Sequence, residues 1–181
     1  MSDRTPQEAA HAFLAPLSAV VRCVTDEGLV ARRPRRPEPA RTARFQDEFA
    51  IVDRRNGQAL KLEISHRFIV RRTDGDRGLW TASTTEYAYR VSDERDDLLA
   101  AWHWHPMTRL ADDDAPWPHL HAYGARDTLT LHKLHLPTGR VALEAVVRFL
   151  FADLGVVPRR ADWRAVLDRQ EERFRQTRSW A

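Results

Sequence analysis

The sequence predicts an α+β protein: a curved antiparallel β-meander of about six strands, packed on one face by two C-terminal helices and preceded by an N-terminal helix. Three observations predict it. Apolar residues alternate with polar ones from Arg44 to about residue 136, the segments between them are short and turn-forming, and helical spacing of apolar residues resumes after Thr138. With 181 residues, 43% hydrophobic and 30% charged, the chain can bury one sizeable core and is short for two full domains.

The first element is a helix. Thr5-Pro6-Gln7-Glu8 reads as a capping box with proline at the first helical position, and Phe13, Leu14, Leu17, Val20, Val21 and Val24 give it an apolar face. Residues 1–30 therefore form an N-terminal amphipathic helix. Residues 31–43 form an Arg/Pro-rich linker, because Pro34, Pro37 and Pro39 oppose helix and sheet while Arg32, Arg33, Arg35 and Arg36 repel one another. Residues 44–181 form a single α+β domain.

Within that domain Phe45, Phe49 and Ile51 are expected to share one strand face, and Asn56-Gly57 supplies a tight hairpin turn whose central residues need positive φ. Leu60, Leu62, Ile64, His66, Phe68 and Val70 alternate with polar residues along a long strand, which makes His66 a core histidine. Leu79–Val91 and Leu98–His105 are the third and fourth strands, Pro118–Tyr123 and Thr128–Leu136 the fifth and sixth. Helices are expected over about 140–155, ended by Gly155, and about 161–178.

Six of the 8 histidines fall between His103 and His135. In Trp102-His103-Trp104-His105, strand alternation sends the tryptophans to one face and the histidines to the other, about 6.6 Å apart at i and i+2. The tryptophans gain most from burial under the helices, so His103 and His105 belong on the open face of the sheet, and His119 and His121 follow by the same rule. Pairing of the fourth and fifth strands then converges four imidazoles and Tyr123 on one patch.

Three kinds of chemistry suit such a patch. Neutral imidazole is the commonest metal ligand, so a divalent metal such as zinc is one, with a carboxylate from Asp112-Asp113-Asp114. Paired acid–base histidines are another: one abstracts and one donates a proton, as cleavage of RNA through its own 2′-hydroxyl requires. Arg67, Arg90 and Arg109 would hold phosphate there, and Tyr87, Tyr89 or Tyr123 would stack on bases. The third is a non-enzymatic interaction surface for a partner protein or a second copy of the chain, giving a homodimer. No cofactor other than a metal is suggested.

The order Trp102-His103-Trp104, polar loop, Pro118-His119-Leu120-His121, then helix resembles small bacterial toxins of the TumE-like type, over roughly Phe45 to Leu154. That resemblance implies His103, His119 and His121 as site residues, a partner antitoxin, and growth inhibition through RNA. The chain departs from it in its N-terminal helix, its linker, its last helix and the acidic Asp112–Asp114 loop.

Composition limits the rest. Lone Cys23 excludes an intramolecular disulfide and a cysteine zinc site, and favours a reducing compartment. No apolar run is long enough for a membrane span or a secretory signal, so a cytoplasmic protein that makes no membrane contact is expected. The net charge is only +3, and of 29 basic residues only Lys61 and Lys133 are lysine, an arginine bias that suits phosphate wherever it clusters. The leading expectation is a toxin-like protein that binds or cleaves nucleic acid at His103, His105, His119 and His121, with a metal centre of the same residues as the alternative.

Overall fold

The computed structural model describes residues 5–32, 40–73, 79–106, 117–122 and 136–177. They form α1 (Pro6–Val21), eight strands and two further helices, α2 (Leu143–Ala152) and α3 (Trp163–Thr177). The strands are β1 (Leu29–Arg32), β2 (Ala40–Phe45), β3 (Ala50–Asp53), β4 (Ala59–Arg72), β5 (Trp80–Asp93), β6 (Leu98–Trp104), β7 (His119–Ala122) and β8 (Leu136–Pro137). All belong to one antiparallel sheet of order β1-β2-β4-β5-β6-β7-β8, with β3 paired to β4 beside β2.

The expected α+β architecture is present. Helix α1 starts at Thr5, whose hydroxyl accepts from the Glu8 amide while the Glu8 carboxylate accepts from the Thr5 amide, the reciprocal capping box read from the sequence. All three helices lie on one sheet face: Phe13 of α1 stacks on Phe68, Trp102 meets Phe149 of α2 edge-on, and Phe151 of α2 meets Trp163 of α3. The long central strands β4 and β5 carry register shifts after Arg67 and, between β5 and β6, after Val91, which bend the sheet.

Three details differ from the sequence expectations. Leu29–Arg32 and Ala40–Phe45 are paired strands, so sheet begins inside the stretches read as helix and linker. Phe45 is fully buried while Ile51 is 44% exposed, because they belong to separate strands with separate parity. In the β3–β4 hairpin only Gly57 has positive φ, so Asn56-Gly57 is part of a wider loop closed by Arg54 and Gln58, not a two-residue turn. The last strand ends at Leu136–Pro137 as expected, but Thr128–Leu136 otherwise lies outside the described residues.

His66 is a core histidine, as the alternation of β4 required. One ring nitrogen meets Thr84 Oγ1 at 2.9 Å and the other the Tyr89 hydroxyl at 3.0 Å, so both are satisfied without water. Burial lowers its pKa to about 4. Burial likewise pushes the hydroxyl of Tyr89 well above its ordinary range and the carboxyl of Glu144 upward.

Candidate metal centre

Strand parity builds the site. In β6, Trp102 and Trp104 are buried in the helix-covered core, which turns His103 and His105 to the opposite face. Antiparallel pairing of β6 with β7 sets His103 directly opposite His119, and His121 opposite Ala101. The four histidines named from the sequence are thus brought together. Ring centroids lie 6.1 Å apart for His103 and His105, 5.6 Å for His103 and His119, 5.7 Å for His105 and His119, 5.1 Å for His103 and His121 and 4.8 Å for His119 and His121.

The register makes the four unequal. His103 and His119 form the central pair, while His105 and His121 flank it from opposite ends. One ring nitrogen from each of His103, His105 and His119 lies within 4.8 Å of the others. A tetrahedral zinc site with Zn–N near 2.0 to 2.1 Å needs donor separations of roughly 3.3 Å and ring-centroid separations of about 5.2 Å. The centroid spacings of His103, His105 and His119, 5.6 to 6.1 Å, all exceed that value, so the three rings must draw together by less than about 1 Å to hold an ion.

His119 is also set in its tautomer. Its Nδ1 lies 2.9 Å from the Trp117 carbonyl oxygen, which only accepts, so Nδ1 carries the hydrogen and Nε2 keeps its lone pair. A backbone carbonyl holding the far nitrogen of an imidazole is the usual outer support of a metal ligand. It also limits His119 to one ion. The Trp117 carbonyl left no mark in the sequence, since any residue supplies one.

The expected openness of the face needs correction. His105 and His119 are buried, at 7% and 0% exposure, and only His103 and His121 are partly exposed. Lying away from the helices does not by itself leave a side chain in solvent. A site of this kind has a lowered local dielectric, which strengthens ligation and raises the cost of leaving imidazole nitrogens unsatisfied.

The tyrosines are corrected as well. Tyr87 pairs with Trp104 and Tyr89 with Trp102, so both point into the core, 4% and 1% exposed and stacked on each other at 4.9 Å. The Tyr87 hydroxyl accepts the Val141 amide hydrogen at 2.8 Å, tying the sheet to the segment before α2. They serve the core and cannot stack on a substrate at the histidines. Arg67 and Arg90 do share the histidine face, facing Glu86 and Glu63 across β4 and β5 in ion pairs of 3.6 and 3.7 Å. Arg109, Tyr123 and Asp112–Asp114 lie outside the described residues.

No family model, no curated protein and no solved structure matches this chain. No helix among the described residues is long and apolar enough to cross a membrane.

Proposed function

We propose that this chain is a metal-binding protein that holds one divalent ion, zinc by preference, through His103, His105 and His119. The observation that carries the proposal is the convergence of one donor nitrogen from each within 4.8 Å, from His103 on β6, His105 just after it and His119 on the paired strand β7. Three neutral nitrogen donors suit zinc or another late first-row ion and not magnesium or calcium, which take oxygen. Three protein ligands leave a fourth position for water or a ligand, the pattern of a working rather than a purely structural zinc site. His121 adjoins the set without belonging to it. Elemental analysis of protein purified without an affinity tag tests the proposal. It predicts one ion per chain after loading and desalting; substoichiometric metal would sink it.

A second proposal is toxin-like action on RNA, with an antitoxin as partner. What favours it is that the three histidines singled out by the family resemblance, His103, His119 and His121, are mutual neighbours. It ranks second because the tyrosines meant for bases are in the core. Expression in bacteria with and without His103→Ala plus His119→Ala tests it, and equal growth would contradict it.

A further inference from the structure

The residues of β5 that face the histidines define what the centre can take. Ala88 lies directly opposite His103, and Arg90 directly opposite Ala101, two residues along β6 from His103. Arg90 and His103 are therefore diagonal neighbours, a separation of roughly 7–8 Å that long side chains span. Ala88 and Ala101 complete that square of the sheet with single methyl groups, Ala88 half-buried and Ala101 buried. Ser65, the next residue in that cross-strand row, is small and exposed. The row Ser65-Ala88-His103-His119 runs across four strands, exposed at Ser65, half-buried at Ala88 and His103 and closed at His119.

We propose that the Ala88 side of His103 is an oxyanion subsite of the metal centre, and that Arg90 clamps a carboxylate or phosphate group whose other oxygen binds the ion. The proposal rests on the metal reading above. Three neutral imidazoles leave the ion's double positive charge uncompensated, and Arg90 adds a further positive charge beside His103, level with Ala101 and His121 and at the end away from His105. The Arg90 side chain is 47% exposed, and its ion pair with Glu63 spans 3.7 Å. That is well beyond the roughly 2.7–2.9 Å of a charge-assisted hydrogen bond, so an incoming oxyanion competes with a loose partner. Guanidinium and metal together present two donors to one planar or tetrahedral anion, which a lone metal does not. Carboxylate and phosphate share this chemistry, and the substrate class is a small molecule or chain end bearing one of them.

The test uses the full chain loaded with cobalt(II), whose visible absorption reports a change of ligand at the fourth position. Inorganic phosphate and acetate are titrated separately, and the anion that binds more tightly identifies the class. Arg90→Gln is expected to load cobalt one to one and to weaken that anion at least about tenfold. Arg90→Lys should recover part of the loss, and Glu63→Gln, by removing the competing carboxylate, should tighten binding. No spectral response to either anion in cobalt-loaded protein, or equal affinities in the parent and Arg90→Gln, overturns the subsite while leaving the metal centre standing. Failure to load cobalt at all overturns both.

Discussion

His103 and His119 face each other directly across β6 and β7, their ring centroids 5.6 Å apart, and this pair is the hinge of the whole site. His105 joins it from one end and His121 from the other, so substitutions should separate the two. His103→Ala, His105→Ala and His119→Ala should each weaken zinc by at least about 100-fold, whereas His121→Ala should cost about tenfold or less. Competition against a chromophoric chelator measures this. Equal losses for all four would mean a four-histidine ligand set.

Zinc should stabilise the fold, because the donors are assembled only in the native state. At zinc concentrations about 100 times the dissociation constant the gain is about 2.7 kcal/mol, a rise in Tm of roughly 5–10 °C for a chain of this size. Thermal unfolding with zinc and with excess chelator checks it, and the difference should vanish in His119→Ala.

The two faces of β6 should respond oppositely to truncation. Trp102, buried against Phe149, should cost about 3–5 kcal/mol as Trp102→Ala through the cavity it leaves. His103→Ala in metal-free protein should cost far less, since it empties no part of the helix-covered core. Chemical denaturation of both variants in chelator separates the faces; equal costs would contradict the division.

Acid should unfold the protein through His66. Its folded pKa near 4 lies below the ordinary value of 6.5, so the unfolded chain binds the extra proton. The neutral ring's contribution is complete above about pH 6.5 and is lost as pH falls towards about 4, on the order of 3 kcal/mol in all. Glu144, whose carboxyl is pushed up by burial, acts in the opposite sense, favouring the fold when protonated and losing that contribution as pH rises past 4.5. Urea titrations from pH 7.5 to pH 4 should show the His66 loss more cleanly in Glu144→Gln. Removing the hydrogen-bond partner in Tyr89→Phe should cost a further 1–3 kcal/mol or so.

Strand parity made much of this legible from sequence. Trp102 and Trp104 had to face the helices because their area demanded burial, and that fixed His103 and His105 on the other side. His66 was readable from its register with Ile64 and Phe68. The tyrosines were misplaced because their function was argued from residue type, although Tyr87 and Tyr89 alternate with Ala88 and Arg90 and so had a face of their own. Pairing register is a tertiary property: nothing local sets Ala88 against His103 or His121 against Ala101. Nor does composition reveal that His119 is fully buried, or that the carbonyl of Trp117, two residues before it, fixes its tautomer, since a backbone carbonyl carries no residue-type signal.

X-ray absorption at the zinc edge of protein loaded one to one tests the metal centre most directly. Three imidazole nitrogens at about 2.0–2.1 Å, with one further light-atom ligand, is the predicted first shell. A first shell of oxygen alone, or two imidazoles at most, would contradict a centre built from His103, His105 and His119.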